Sequence, residues 1–196
     1  MKILLFVTVV LTIFSSCKKE KYYRFSPKEL DFVNYSEGQD LNYLDTNLNR
    51  RALIQVTYKR DFHERYGMLI RTWEFFETYE VLYHAGTSRY AMGFSIALDK
   101  EDKTLDIDFD GYEVFANPDS LYPSVSSVSI NGVSYSNVYK LKAYNRSRSA
   151  AGTYGKFLWV NGELVKNTDT ATLFHNKQYG VIQLLFPNGK RVLRID

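Results

Sequence analysis

Residues 128–139 read Val-Ser-Ile-Asn-Gly-Val-Ser-Tyr-Ser-Asn-Val-Tyr, and this stretch determines the fold class that the sequence predicts. Asn131-Gly132 lies between two apolar runs, and both residue types tolerate the positive φ angles of a two-residue hairpin turn. Asn161-Gly162 and Asn188-Gly189 also lie between apolar runs. Three such turns in the second half of the chain predict an antiparallel meander of β-hairpins.

Outside these turns, the chain is rich in residue types that favour strands. It contains 16 Tyr and 13 Phe among 196 residues, and aromatic and β-branched side chains suit a half-buried pleated surface. Alternating or β-branched patterns predict strands at 90–98, 105–109, 125–130 and 133–141. We therefore expect a mainly all-β antiparallel domain that forms a sandwich, a closed barrel or a half-barrel.

Only short helical structure is expected. Ser26-Pro27-Lys28-Glu29 predicts a helix start, because Ser26 can cap, proline suits the first helical position and Glu29 completes a capping box. The next candidate helix is 62–73, where Phe62, Tyr66 and Trp73 have helical spacing, although Gly67 interrupts it.

The charge balance argues against a dedicated nucleic-acid binder. The chain carries 25 basic and 22 acidic residues, whereas nucleic-acid binding usually leaves a concentrated basic footprint. We therefore expect no nucleic-acid partner.

The first residues resemble an export signal. Lys2 is followed by the apolar run 3–14 and by Ser15 and Ser16, before the chain's single cysteine, Cys17. As a helix, residues 3–17 would extend only about 22 Å at ~1.5 Å per residue, against a bilayer core of ~30 Å. A cleaved leader is therefore expected rather than a transmembrane helix.

Phe14-Ser15-Ser16-Cys17 resembles the lipobox of bacterial lipoproteins, which usually reads Leu-small-small-Cys, with Phe14 in place of the aliphatic residue. The resemblance implies cleavage after Ser16 and attachment of diacylglycerol and a further fatty acid such as palmitate to Cys17. Two or more acyl chains would hold a protein on a membrane stably. Lys18, Lys19 and Lys21 would then lie beside anionic headgroups.

The mature chain resembles small uncharacterised Bacteroidota-type envelope lipoproteins in its opening Phe25-Ser26-Pro27, in the stretch 128–139 and in Tyr179-Gly180-Val181-Ile182. Position 18 is not the Asp that commonly retains such proteins at the inner membrane, so the resemblance implies the outer membrane, with periplasmic or surface orientation open. The expected organisation is a signal peptide at 1–16, a lipidated tether at 17–25 and one antiparallel β domain at 26–196.

Two side-chain patterns are candidates for ligand binding. Asp106, Asp108 and Asp110, followed by Gly111, resemble the first half of an EF-hand calcium loop, although Asn117 stands where the closing glutamate belongs. The alternative interpretation is a strand whose Asp residues face water while Leu105, Ile107 and Phe109 face the core. The second pattern interleaves basic and aromatic residues and could bind an anionic glycan or lipid headgroup; its candidate contact residues are Lys140, Lys142 and Arg146.

No pattern singles out a catalytic site or a cofactor. His63, His84 and His175 have no metal-motif spacing, and the sequence lacks a nucleophile elbow and a phosphate-binding glycine loop. We expect no enzyme, no cofactor and no confident metal site. The leading hypothesis is a non-catalytic binding or structural module of the envelope, whose partner would be a protein, a glycan or an apolar ligand. The alternatives are a barrel or half-barrel that carries a lipid or other apolar ligand, and an enzyme with a scattered site.

Overall fold

The fold of the chain is known from a computed structural model that describes residues 19–67, 72–85, 94–146 and 155–195. One short α-helix, α1, spans Pro27–Leu30, and a single 3₁₀ turn spans Pro118–Ser120 in this described part. The strands in chain order are β1 (Lys19–Tyr23), β2 (Asp40–Asp45), β3 (Arg50–Gly67), β4 (Thr72–Ala85), β5 (Phe94–Asp99), β6 (Thr104–Phe109), β7 (Tyr112–Ala116), β8 (Val125–Ile130), β9 (Val133–Asn145), β10 (Phe157–Val160), β11 (Glu163–Lys166), β12 (Thr170–Asn176), β13 (Gly180–Leu185) and β14 (Arg191–Arg194).

Ten strands close into an antiparallel barrel, which confirms the predicted all-β class and selects the closed barrel among the three architectures. The ring runs β4-β3-β2-β14-β13-β12-β9-β7-β6-β5, and the pairing of β5 with β4 closes it. Two further strands belong to the same sheet but lie outside the ring. β1 pairs in parallel with β4, and β8 pairs antiparallel with β9. Strands β10 and β11 form a separate two-stranded ribbon.

Side-chain alternation fills the interior of the barrel. Alternate residues of β2, β3, β5 and β6, such as Leu41, Ile54, Ile96 and Ile107, are completely buried in one apolar cluster. This period-two pattern is the one that a strand with one face in the core requires. The predicted inward positions Leu105, Ile107 and Phe109 are likewise buried.

The segment around α1 covers one end of this interior. Ser26 caps the helix and Glu29 completes the predicted capping box. Phe32, just after the helix, is completely buried, and its ring lies 4.8 Å from that of Tyr139 on β9. The Nζ of Lys100 donates to both Glu29 carboxylate oxygens, at 2.7 and 2.9 Å, which ties the helix to the β5–β6 turn.

The prediction of a helix at 62–73 is wrong. Residues 62–67 continue β3, and Thr72 already begins β4. Phe62 and Tyr66 have helical spacing, but an even separation also places them on the same face of a strand. Fourteen consecutive rungs between β3 and β4 supply backbone hydrogen bonds that favour the hairpin.

The range 17–25, expected as a tether, differs from that expectation where the structure describes it. Residues 19–23 form β1, which pairs in parallel with β4 from Lys19 opposite Thr72 to Tyr23 opposite Phe76. Phe25 is buried in the core. The first described strand therefore begins two residues after Cys17.

All three Asn-Gly pairs connect hairpins, as predicted. Asn131 and Gly132 both have positive φ angles, 51° and 80°, and so do Asn161 and Gly162, at 51° and 84°. The first hairpin, β8–β9, folds against the outside of the barrel. There it covers a second apolar cluster, which comprises Ile130, Tyr135, Val138, Phe174, Ile182 and Leu193.

Candidate functional site

An open groove of about 600 Å³ lies on the outer face of the barrel. Three neighbouring strands supply one row of its side chains, because Lys142 on β9 pairs with Thr172 on β12, which pairs with Leu185 on β13. Lys140 and Thr170 extend the groove on either side of this row. The groove therefore joins a cationic wall to an apolar one.

The cationic wall consists of Lys140 and Lys142, which are two residues apart on β9 and both exposed. Strand alternation puts both on the outer face while Leu141 between them is buried in the core. The Nζ of Lys142 lies 5.2 Å from the centre of the Tyr144 ring, a cation–π distance. The backbone of Lys140 donates to the Ser124 hydroxyl at 3.1 Å. Two like charges are thus held side by side on a rigid strand.

The apolar wall is built by the turn between β13 and β14. Phe186, Pro187 and Gly189 line the groove together with Leu185. Two backbone hydrogen bonds close the turn, from Phe186 N–H to the Lys190 carbonyl at 2.9 Å and from Gly189 N–H to the Phe186 carbonyl at 3.0 Å. The edge of Tyr112 meets the Phe186 ring at 5.2 Å. These contacts fix the wall before any ligand arrives.

The structure brings Lys140 and Lys142 together but separates Arg146 from them. The Nη1 of Arg146 donates to Asp108 Oδ2 at 2.6 Å, and the Arg146 backbone N–H donates to the Gly111 carbonyl at 2.8 Å. The guanidinium is therefore engaged by an acidic patch on β6 and β7.

That acidic patch comprises Asp106, Asp108 and Glu113. Asp106 and Asp108 face outward, as the strand interpretation predicted, yet the patch is less solvated than expected. Glu113 is only 6% exposed, and Asp106 Oδ1 is buried with no hydrogen-bond partner in the described part of the molecule. Burial, followed by repulsion from neighbouring carboxylates, raises the pKa of both Asp106 and Glu113.

The geometry gives the calcium hypothesis no support. Asp106 and Asp108 lie on β6, while Asp110 and Gly111 form the tight turn to β7, with φ angles of 52° and 78°. Within the described ranges, no group of three or more His, Cys, Asp or Glu could hold a metal ion. An EF-hand loop instead curls around its ion so that alternate side chains converge.

The three histidines lie on three different strands, β3, β4 and β12. His63 contacts Glu101 on the surface, and His84 belongs to β4. His175 is completely buried, with its Nε2 3.3 Å from the Phe32 carbonyl oxygen. Burial lowers the pKa of His175 to about 4, so its ring is neutral at physiological pH and serves the core.

Cys17 and Lys18 lie outside the described residues, so the lipobox stays a prediction. Lys19 and Lys21 lie exposed on β1. No helix in the described part of the chain combines the length and the apolar character needed to cross a membrane.

Sequence reasoning missed the apolar wall of the groove and the Asp106–Glu113 proximity. The wall had a readable signal, since Phe186-Pro187 directly precedes the Asn188-Gly189 turn. The closeness of Asp106 and Glu113 also had a signal, because Asp110-Gly111 predicts the hairpin turn that pairs β6 with β7.

Comparison with known proteins gives no relatives: no family model, no curated protein and no solved structure matches this chain.

Proposed function

We propose that this protein is a lipid-anchored component of the bacterial cell envelope, held on the outer membrane through Cys17, and that its barrel is a non-catalytic binding module. The observation that carries the binding function is the pair Lys140 and Lys142, set side by side against an apolar wall. The anchor is supported by the leader and lipobox-like sequence that ends at Cys17.

The groove suits a ligand that combines an anionic group with an apolar surface. The ammonium groups can bind a carboxylate or phosphate through charge-assisted hydrogen bonds, and the Thr170 and Thr172 side chains add polar partners. Phe186 and Pro187 offer flat apolar surfaces for a sugar ring or an acyl segment. Acidic glycans and lipid headgroups share this chemistry.

Binding outside the barrel is favoured over carriage inside it. Carrier barrels keep a cavity along their axis, whereas the interior here is occupied by side chains such as Tyr43, Phe109 and Leu173, each completely buried. A carrier would need these side chains to move. The open groove needs no such rearrangement.

Binding can be tested with a double substitution and a matched control. Lys140→Gln with Lys142→Gln removes both charges from the groove, and we expect at least a tenfold loss of affinity, about 1.4 kcal/mol. The control, Lys156→Gln with Lys166→Gln, removes two exposed charges from the β10–β11 ribbon and its base. The probes are arrayed uronate- and sialate-bearing glycans and vesicles that contain phosphatidylglycerol, which separate the two sources of the anion. Equal binding by both variants would overturn the groove as the site.

The anchor is tested by mass spectrometry of the mature protein. A chain that begins at Cys17 and carries diacylglycerol and an amide-linked fatty acid supports it. An unmodified Cys17, or a mature chain that begins elsewhere, contradicts it.

A further inference from the structure

Three strands extend beyond the ring of the barrel as an arm, which we define as β1 with residues 62–67 of β3 and residues 72–77 of β4. One rung of the arm joins Glu20, Trp73 and Tyr66, and another joins Tyr22, Phe75 and Glu64. The arm lies past the last rung between β4 and β5, which starts at Thr78 opposite Asp99.

One face of the arm is a strip of aromatic side chains. Tyr22 stacks on Phe75 with ring centres 4.7 Å apart and meets Phe62 edge-on at 5.7 Å. Farther out, Tyr66 and Trp73 lie 4.9 Å apart. Tyr22 and Tyr66 are 50% and 46% exposed, so the strip is open to its surroundings.

Strand alternation explains why these aromatic side chains share one face of the arm, which also carries Glu20 and Glu64. Along β3, Ile54 and Val56 point into the barrel and are completely buried. Even-numbered residues farther along the same strand, Phe62 and Tyr66 among them, share that face. The core face of the barrel thus continues past the closed ring, where Tyr22 and Tyr66 are exposed.

The chain enters the fold at the outer end of the arm. Lys19 pairs with Thr72, and Thr72 pairs with Gly67, at the end of the β3–β4 hairpin farthest from the ring. Cys17 precedes Lys19 by two residues, a reach of at most about 7 Å of extended chain. A lipid on Cys17 would therefore hold this end of the arm at the membrane surface.

We propose that the aromatic face of the arm binds the surface of the phospholipid bilayer into which Cys17 is anchored. Trp and Tyr combine an apolar ring with a polar group and favour the headgroup region of bilayers. Arg24 lies on the same side, 5.8 Å from the Phe62 ring centre, and exposed Lys19 marks the anchor end. Arg24 can bind lipid phosphates, whereas Lys19 points to the opposite face of the arm, because it directly precedes Glu20. This inference rests on the lipid anchor of the proposed function.

The two tryptophans of the chain allow a direct test. Trp159→Phe leaves Trp73 in the arm as the only indole, and Trp73→Phe leaves Trp159, which is 62% exposed on the β10–β11 ribbon. The acylated mature protein is reconstituted into phosphatidylethanolamine and phosphatidylglycerol vesicles whose acyl chains are brominated near the headgroup end. We expect bromolipid to quench Trp73 emission severalfold more than Trp159 emission, and aqueous acrylamide to show the reverse order.

Two results would overturn the inference while leaving the anchor in place. The first is equal and weak bromolipid quenching of both tryptophans in protein that mass spectrometry shows to be acylated. In the second, Trp73 is protected from acrylamide only at a high protein-to-lipid ratio, and bromolipid does not quench its emission. This result would show that a second copy of the chain, and not the bilayer, covers the strip. Absence of acylation would instead overturn the anchor, and the inference with it.

Discussion

The ring of Tyr43 on β2 lies 5.2 Å from the ring of Phe109 on β6, although the two strands are four positions apart around the ten-strand ring. The contact therefore crosses the interior of the barrel. Phe109→Ala should lower the free energy of unfolding by about 3–5 kcal/mol, because it leaves a cavity where two sides of the barrel meet. Chemical denaturation measures this loss.

The control is Phe157→Ala on the β10–β11 ribbon, where the side chain is 40% exposed. We expect a much smaller change there. Equal losses at the two positions would show that the interior is not tightly packed, and would favour the ligand-carrier alternative.

His175 should make the protein less stable in mild acid. Burial lowers its pKa from 6.5 to about 4, so the folded state binds fewer protons than the unfolded state between these two pH values. The stabilisation is complete above the unfolded pKa and is lost as the pH falls toward the folded one. At about 1.4 kcal/mol for each pKa unit, the loss is about 3 kcal/mol.

The measurement is the free energy of unfolding at a series of pH values between neutrality and mild acid. His175→Phe retains an aromatic ring in the core, and it should reduce the slope of the free energy of unfolding against pH in mild acid. A slope unchanged by His175→Phe would assign the acid sensitivity to other groups.

The acidic patch of Asp106, Asp108 and Glu113 should have the opposite effect on stability, so that the free energy of unfolding falls as the pH rises. Burial, followed by repulsion from neighbouring carboxylates, raises the pKa values of both Asp106 and Glu113, so the fold favours the protonated acids and loses stability as the pH rises through the raised pKa. Asp106→Asn removes one of these charges, and it should raise the free energy of unfolding at neutral pH by on the order of 1 kcal/mol. The gain should vanish in acid, where Asp106 is neutral in both states.

Asp102→Asn is the matched control, because Asp102 is an exposed acid in the turn before β6. It should change the free energy of unfolding little at neutral pH. Destabilisation by Asp106→Asn at neutral pH would indicate that the charged form is held by a favourable contact.

The sequence predicted what depends on neighbouring residues. The local conformational preferences of the residues are enough to predict the Asn131-Gly132 turn and the capping box at Ser26. The inward and outward positions of β6 follow from period-two alternation. Lys140 and Lys142 were predicted together because they share one face of one strand.

What the sequence did not predict depends on pairing between distant segments. Arg146 was grouped with the lysines by proximity in sequence, but its partner Asp108 lies 38 residues away. The parallel pairing of β1 with β4 joins segments about 50 residues apart. Neither has a local signal, because register between remote strands is set by the whole sheet.

The last strand should be indispensable for folding. β14 lies between β2 and β13 in the ring and pairs with both, and Val192 on it is completely buried. Deletion of residues 192–196 would open the barrel and leave edges of β2 and β13 unpaired, so we expect aggregation or loss of the cooperative unfolding transition. Circular dichroism and size-exclusion chromatography measure these outcomes. A chain that ends at Ile195 keeps all of β14, as well as the hydrogen bond from Ile195 N–H to the Asn42 carbonyl at 2.9 Å, and should fold normally. A monomeric, cooperatively folded 191-residue product would contradict the ring order, because it would show that β2 and β13 do not need β14 to join them.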